Sequence, residues 1–241
     1  MGSSSSFHLN PCIPFLLAMC LLLGPISVSS TEKVTVSLYY ESLCPYCANF
    51  IVNSLVKVFQ KGLNSVVHLR LIPWGNSWIQ SNGSFSCQHG PDECLLNTIQ
   101  ACAINIYPNV NQHFRFVYCI ERLRLEGKHT EWGRCLGVDK MGRSPIDCYN
   151  NGRGHQLERK YAEETDRLKP PLRFVPWVIV NGHALQEDFP NFVRYVCQAY
   201  KGRPLPEACT SIQSTDDSLE EISFNSVCYA GEHKNSTSLQ H

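Results

Sequence analysis

The sequence predicts an α/β domain with a block of helices inserted between its strands. Two apolar, β-branched segments, 34–40 and 66–72, are typical of strands and enclose one helical pattern. A cysteine pair, Cys44 and Cys47, falls where the first strand gives way to that helix. Cysteine-rich helical patterns then fill about 87–168 before strand patterns resume. Together these observations define the fold class and locate its candidate chemistry.

Composition points to a compartment and excludes several partners. The chain has 241 residues, of which 43% are hydrophobic, and this suits one domain of ordinary core size. Its 21 Lys and Arg balance its 21 Asp and Glu, and the interspersed charges argue against a nucleic-acid or anionic-membrane surface. Thirteen cysteines are typical of a protein that folds under oxidising conditions.

The N-terminus resembles a secretory signal peptide, although it lacks the usual basic start. An apolar run over 13–23 precedes small residues at 28–30, which suits cleavage before Thr31. Prolines and a glycine leave the run too short to span a bilayer. We therefore expect 1–30 to be removed and no membrane span to remain.

The Cys-Pro-Tyr-Cys stretch is the candidate reactive centre. Cys44 is expected at the helix N-cap, with Pro45 at the first helical position. The free N–H groups and the positive dipole end there stabilise a thiolate, the nucleophilic form of cysteine. Cys47 lies one turn further on and deeper, so Cys44 would attack a disulfide and Cys47 would resolve the product. The alternatives are a structural disulfide or half of a zinc site; because no second Cys-x-x-Cys exists, we predict no metal.

The segments after the pair fit a strand–helix–strand unit. A helix is predicted over 45–61, with Gly62 as its end, and the flanking strands imply a parallel crossover. Residues 74–86 are rich in Gly and Ser and are predicted as a surface loop. Asn82 in that loop and Asn235 near the C-terminus begin glycosylation patterns, which matter if the chain is secreted.

Helical periodicity dominates the insertion, 87–168. Helix starts are predicted at Pro91 and Ser144, and further helices over about 116–123 and 155–168. We expect the cysteines of this block to staple its helices rather than to bind a metal. They are Cys87, Cys94, Cys102, Cys119, Cys135 and Cys148.

Strand patterns resume at 174–180, where Pro176 lies near the strand start. A proline is tolerated at that position if the peptide bond before it is cis. The Asn-Gly pair at 181–182 predicts a tight turn into a return strand at 183–185. A last amphipathic helix is predicted over 189–200.

The C-terminal segment, 210–241, is rich in serine and acidic residues and is predicted to be a poorly ordered tail. Signal cleavage removes two of the thirteen cysteines, and nine of the remaining eleven lie outside the Cys44–Cys47 pair. Because nine is odd, at least one is free, pairs between chains, or leaves with a processed tail. The nine candidates for structural disulfides are the six above with Cys197, Cys209 and Cys228.

Two motifs resemble those of a known family. The pattern Cys-Gln-His-Gly-x-x-Glu-Cys-x-x-Asn-x-x-x-x-Cys over 87–102 is similar at every fixed position to the signature of the gamma-interferon-inducible lysosomal thiol reductase family. The Val-Pro-Trp-Val-x-Val-Asn-Gly segment at 175–182 also resembles that family, and the similarity runs from about residue 34 to 209. The order of elements looks like a thioredoxin fold with a helical insertion.

The resemblance implies a glycoprotein that reduces protein disulfides in an acidic endosomal or lysosomal compartment. It implies Cys44 and Cys47 as the catalytic pair and Pro176 as the cis-proline that flanks them. It assigns no chemical role to Gln88, His89 or Asn97, and we expect these residues to shape the insertion and its contact with the rim of the site.

The same resemblance sets further expectations about organisation. The reductase domain would cover 31–209, and the tail could be trimmed. The electrons would come from a small thiol and no prosthetic cofactor is expected. The partners would be disulfide-bonded proteins, and the chain a monomer or a disulfide-linked dimer. The final compartment would be a lysosome, a vacuole or the cell exterior.

Two other functions fit the same cysteine pair. A secretory-pathway oxidase or isomerase would use the same dithiol with a different potential and different partners. A disulfide-stapled binding protein would hold the pair in a merely structural role. A Cys44→Ser variant separates enzyme from binding protein, because only an enzyme would lose reductase activity and keep its fold.

Overall fold

A computed structural model describes Gly2 and residues 32–60, 62–214 and 227–231. Apart from Gly2, the predicted signal peptide lies outside the described residues, as does Asn235. Within the described ranges, no helix has both the length and the apolar character needed to cross a bilayer.

The strands, numbered in chain order, are β1 (Val34–Tyr40), β2 (Val67–Pro73), β3 (Trp78–Ile79), β4 (Phe85–Ser86), β5 (Phe174–Val175), β6 (Trp177–Val180), β7 (His183–Ala184) and β8 (Cys228–Tyr229). The α-helices are α1 (Pro45–Asn53), α2 (Leu63–Val66), α3 (Pro91–Ile106), α4 (Val110–Leu125), α5 (Ser144–Asn150), α6 (Arg153–Asp166), α7 (Phe192–Ala199) and α8 (Glu207–Ser214). Short 3-10 helices lie at Leu55–Phe59, His129–Lys140 and Gln186–Asn191.

A four-stranded sheet of order β2-β1-β6-β7 forms the centre of the fold. β1 runs parallel to β2 and antiparallel to β6, which confirms the predicted crossover through α1. Six of the seven residues of β1 are buried, because the sheet is covered on both faces. The carboxyl end of this central strand is therefore a rigid place from which to present a site.

The insertion, α3 to α6, packs around α3. It has its own apolar cluster, which includes Leu96, Ile99, Phe116 and Ile120. Leu43, which precedes Cys44, belongs to this cluster and joins the insertion to the end of β1.

Two predicted segments differ locally from the structure. The predicted helix over 45–61 ends at Asn53 and continues as a 3-10 turn, in a stretch whose β-branched valines favour helix weakly. The predicted loop over 74–86 contains the β3–β4 hairpin. Its turn is possible because Gly83 adopts a positive φ of 84°.

The segments at the C-terminal side also need correction. Pro176 divides the predicted strand over 174–180, so that β5 pairs with β8 while β6 pairs with β1. The helix predicted over 189–200 begins at Phe192, because the preceding residues, which contain Pro190, form a 3-10 turn. The segment predicted as a poorly ordered tail contributes the end of α8 and all of β8.

Candidate active site

The end of β1 delivers two cysteines to the first turn of α1. Cys44 is the N-cap, with extended backbone (φ −66°, ψ 118°), and Pro45 follows at the helix start. No side chain caps this helix and no acidic residue lies in its first turn, so the helix does not offset its positive end with its own side chains. Cys44 and Cys47 are both fully buried. The predicted placement of the pair at a strand–helix junction is confirmed.

These two cysteines are not bonded to each other. Cys44 forms a disulfide with Cys228 of β8, with the two Cα atoms 6.4 Å apart. Cys47 is the free cysteine of the described residues. The sequence grouped Cys228 with the structural cysteines, whereas the structure joins it to the predicted nucleophile. Sequence reasoning missed this bond because its partners are 184 residues apart.

A cis-proline lies on the strand that receives this C-terminal segment. The Val175–Pro176 peptide bond is cis. Immediately before it, β5 pairs antiparallel with β8, so that Val175 lies opposite Cys228. The Ala230 N–H also donates to the Arg173 carbonyl at 2.9 Å. An extended peptide thus lies along β5 with its cysteine directed to the start of α1.

A histidine flanked by two carboxyl groups adjoins the disulfide. His89 Nε2 lies 3.7 Å from Cys228 Sγ. On the other side of the ring, Nδ1 lies 2.6 Å from Glu93 Oε2 and 3.5 Å from Glu41 Oε2. The His89 backbone N–H donates to Glu93 Oε1 at 3.1 Å, which fixes the carboxylate on both sides. The imidazole is therefore held with one nitrogen towards the sulfur.

Two amide side chains hold the backbone of β8 against the insertion. Asn76 Nδ2 donates to the Cys228 carbonyl at 3.0 Å and to Gln88 Oε1 at 2.8 Å. Gln88 Nε2 donates to the Tyr229 carbonyl at 2.8 Å. Because the bonds to β8 go to backbone carbonyls, they do not depend on the side chains of this extended segment.

The loop between β1 and α1 is held by the insertion. Asn97 Oδ1 accepts from the Ser42 backbone N–H at 3.0 Å and from the Ser42 hydroxyl at 2.7 Å. Arg124 Nε donates to the Leu43 carbonyl at 2.7 Å and brings a guanidinium next to the residue that precedes Cys44. The motif residues of the insertion therefore contact the rim of the site, as the sequence led us to expect.

A family model described as gamma interferon inducible lysosomal thiol reductase matches residues 35–138. The chain is 36% identical over 224 residues to the gamma-interferon-responsive lysosomal thiol protein of Arabidopsis thaliana, which covers 90% of this chain and 94% of that protein. The chain belongs to the gamma-interferon-inducible lysosomal thiol reductase family. The Mus musculus gamma-interferon-inducible lysosomal thiol reductase is 36% identical over 197 residues, or 79% of this chain and 77% of that protein.

Solved structures share the fold of this family member. The oxidised DsbA of Mycobacterium tuberculosis has a TM-score of 0.51 and 19% identity, with 78% of this chain and 94% of that chain covered. The reduced disulfide bond oxidoreductase DsbG from the same organism has a TM-score of 0.51 and 18% identity, with 80% and 91% covered. The predicted α/β, thioredoxin-like fold is confirmed, and the family makes the chain a thiol–disulfide oxidoreductase.

Burial shifts the pKa values of ionisable side chains at the site of this thiol reductase. It raises the pKa of the Cys47 thiol well above its usual value, and the nearby Glu41 carboxylate raises that pKa further. Burial also raises the pKa of Glu41, and the charge of Glu93 adds to the effect. The Asn76 backbone N–H, 2.5 Å from Glu41 Oε1, acts in the opposite direction. Cys47 therefore keeps its proton until a base removes it.

Glu121 is a further buried carboxyl group of the reductase. Gln100 Oε1 accepts from the Tyr40 hydroxyl, and Gln100 Nε2 donates to Glu121 Oε1 at 2.8 Å. Burial raises the pKa of Glu121, whereas Gln100 and the Arg124 guanidinium lower it. These groups couple β1 to α3 and α4 through polar contacts as well as apolar ones.

Three residues of the site have ligand atoms suited to a metal. One atom each from Glu41, His89 and Cys228 lies within 4.8 Å of the others. Cysteine binds metals as a thiolate, and the Cys228 sulfur is instead bonded to Cys44. In this disulfide-bonded state the three residues do not form a metal site.

The other predicted cysteines are bonded to partners other than Cys44. Eight of the nine candidates for structural disulfides pair with one another, and Cys228 is the ninth. The pairs are Cys87–Cys94, Cys102–Cys148, Cys119–Cys135 and Cys197–Cys209.

The candidate glycosylation residue Asn82 lies exposed in the β3–β4 turn. Its Oδ1 atom accepts from the Ser84 backbone N–H at 2.9 Å and from the Ser84 hydroxyl at 2.7 Å.

Sequence reasoning missed Glu41, Asn76 and Arg124. The sequence did contain a signal for Glu41. An acidic residue that directly follows an apolar strand occupies a position that is usually buried in an α/β sheet. Gly75 was another signal: a Cβ there would lie 2.4 Å from the Glu41 side chain, so only glycine permits the chain to pass this close. Arg124 carried no local signal, because only the packing of α4 brings it to Leu43.

Proposed function

We propose that this thiol reductase reduces disulfide bonds of proteins, with Cys44 as the attacking nucleophile and Cys47 as the resolving thiol. The observation that carries the proposal is the bond between Cys44 and a cysteine of an extended segment beside cis-Pro176. This is the arrangement expected of a mixed disulfide between an enzyme and a peptide substrate.

The reaction proceeds in two exchanges. The Cys44 thiolate attacks one sulfur of the substrate disulfide, and the other substrate sulfur leaves. The Cys47 thiolate then attacks Cys44 Sγ, which releases the first substrate sulfur and leaves a Cys44–Cys47 disulfide. A small thiol returns two electrons to the pair, and no prosthetic cofactor takes part.

The N-terminus of α1 supports Cys44 as the nucleophile. A thiolate at the N-cap lies next to free N–H groups that no acidic residue offsets within the first turn. This stabilisation matters most in acid, where an ordinary thiol with a pKa of about 8.5 is almost wholly protonated. Cys47, whose pKa is raised by burial, suits the second step instead.

We place the activity in an acidic compartment of the secretory pathway, lysosomal or vacuolar in type. Relatives carry names that include the word lysosomal. Four disulfides that do not involve Cys44 fit folding in an oxidising compartment. The exposed Asn82 turn fits glycosylation there, with Asn235 as a second acceptor.

A place in the secretory pathway also implies proteolytic processing of the chain. Residues 1–30 act as a signal peptide, 31–209 form the reductase domain, and the segment from 210 onward is a removable tail. Every described cysteine except the buried Cys47 is paired within the chain. This leaves no accessible described thiol to link two chains, so we propose a monomer in the disulfide-bonded state.

Reduction of a denatured, disulfide-bonded protein across pH 4 to 8 tests the proposal, with wild type beside Cys44→Ser. Activity that persists at pH 4 to 5 and disappears in the variant is the expected result. Activity confined to neutral pH would indicate an exchange enzyme of the earlier secretory pathway. Equal activity of the two proteins would overturn the role of Cys44.

A further inference from the structure

We propose that His89 is the acid that protonates the substrate sulfur as that sulfur leaves Cys44. This inference rests on the proposed function and assigns a step that the cysteine pair cannot perform by itself. A thiolate that leaves into a buried site needs a proton, because an unpaired charge there is unfavourable.

The Cys228 sulfur marks the position of the substrate sulfur. It belongs to an extended segment, it is bonded to Cys44, and its residue lies opposite Val175 beside the cis-proline. A substrate cysteine joined to Cys44 along the same strand would place its sulfur at this point. Contacts to Cys228 Sγ therefore describe contacts to the mixed disulfide.

His89 is positioned to act on that sulfur. Its Nε2 atom lies 3.7 Å from Cys228 Sγ, within donor distance of a sulfur acceptor. Glu93 accepts from the opposite ring nitrogen at 2.6 Å and leaves Nε2 directed at the sulfur. The side chain is 15% exposed, so the ring can exchange protons with solvent through the cleft. Glu93 is accordingly a positioning residue.

Atoms and electrons balance through the second exchange. Cys47 first gives its proton to a solvent base, because burial otherwise keeps this thiol protonated. As a thiolate, Cys47 then forms a bond to Cys44 Sγ while the bond from Cys44 to the substrate sulfur breaks with its electron pair on the substrate. The His89 imidazolium transfers its Nε2 proton to that sulfur and becomes neutral imidazole. The products are a Cys44–Cys47 disulfide and a substrate thiol, and solvent returns the proton to His89.

Titratable and charged side chains contact the His89 ring or line its cleft. They are Glu41, Glu93, Asp92, Arg124 and His129.

The test compares His89→Gln with its parent protein, both in the full-length chain with Cys228→Ser so that no tail cysteine competes. Reduced enzyme in excess is mixed with one of two symmetrical disulfides, and the decay of the mixed disulfide is followed by acid quench and mass spectrometry. One disulfide is that of a cysteine-containing peptide. The other is 5,5′-dithiobis(2-nitrobenzoate), whose aromatic thiolate leaves readily without a proton.

At pH 5 we expect His89→Gln to slow decay of the peptide mixed disulfide by about tenfold or more. The decay of the aromatic mixed disulfide should change by less than about twofold. Glu93→Gln should show the same selective loss, and the matched control His129→Gln should retain the parent ratio of the two rates.

Equal slowing with both disulfides would show a structural role for His89 and overturn the inference, as would an unchanged rate with the peptide. If His89→Gln unfolds, Glu93→Gln decides by the same ratio. A Cys44→Ser protein that still reduces the peptide would instead overturn the proposed function, so the two failures are distinguishable.

Discussion

The cysteine-rich insertion and the β1–α1 junction both contain buried cysteines, yet they pair them differently. In the insertion, each described cysteine is bonded to another of the same block. At the junction, Cys44 is bonded to a residue 184 positions away, and the free thiol of Cys47 lies one turn further along α1. Thiol–disulfide exchange needs an attacking thiol, so the reactivity of a disulfide depends more on whether a free thiol lies next to it than on its burial. Structural and reactive sulfur can thus coexist in one oxidising fold.

Removing the thiol at the junction should have the largest effect. In a chain that also carries Cys228→Ser, Cys47→Ser leaves Cys44 able to attack a substrate disulfide but removes the thiol that releases it, so turnover stops and a covalent complex accumulates. After mild reduction, the variant is mixed with a denatured disulfide-bonded protein and resolved on non-reducing gels. Cys44→Ser is the control and should form no complex. Undiminished turnover by Cys47→Ser would show that Cys47 is not the thiol that distinguishes the β1–α1 junction from the insertion.

Breaking the insertion should cost stability. Cys102→Ala with Cys148→Ala opens a 46-residue separation and should lower the free energy of unfolding by about 2–5 kcal/mol. Cys87→Ala with Cys94→Ala is the matched control, since its separation is only 7 residues. Loop length makes the first loss larger by about 1–2 kcal/mol, as measured by urea denaturation of both proteins. The reverse order would argue against the staple interpretation.

Buried carboxyl groups of the insertion should make the protein more stable in acid. Burial raises the pKa of Glu121 and of Glu158 above the usual 4.5. Each stays protonated in the folded state while the unfolded chain ionises, so its contribution is complete below about pH 4.5 and is lost as the pH rises towards the native pKa. That loss amounts to at most about 1.4 kcal/mol per pH unit for each group.

Glu121→Gln with Glu158→Gln should therefore flatten the fall in the free energy of unfolding between pH 5 and 7. Urea denaturation at several pH values measures it. Glu163→Gln, at an exposed position of α6, should leave the slope of the wild type unchanged. A double variant as steep as the wild type would show that these carboxyl groups do not set the pH dependence.

The smallest expected effect is electrostatic and concerns the junction alone. Glu41→Gln removes the carboxylate that raises the pKa of Cys47, so that pKa should fall while burial keeps it above its usual value. The rate of alkylation against pH reports it in a chain that carries Cys44→Ser and Cys228→Ser. Glu163→Gln serves as the control, and an unchanged or higher pKa in Glu41→Gln would contradict the coupling.

Local sequence patterns were enough to predict the main strands and the first helix of this fold. Alternating and β-branched residues placed β1 and β2, and the Pro45 start placed α1, because these signals act within a few residues. The family resemblance predicted a thiol reductase, whereas periodicity predicted only helices and strands. The cis bond at Pro176 followed from a proline in a strand, although the division of that strand between two sheets did not.

What the sequence could not predict depends on contacts across the chain. Nothing near Cys228 indicates that it meets Cys44, because the bond follows from the pairing of β8 with β5. The signature residues His89 and Asn97 were recognisable as a motif, but their partners lie on β8 and in the loop after β1. A motif fixes residue types, and only tertiary packing shows what each one touches.

The bond from Cys44 to Cys228 also changes what a proteolytic cut would accomplish. A cleavage between α8 and β8 would divide the backbone but leave the C-terminal peptide attached through sulfur. The nicked protein would migrate as one species without reductant and as two species with it. Release of the peptide would take two separate events, hydrolysis of an amide and transfer of an electron pair, and only the second would free the Cys44 thiol.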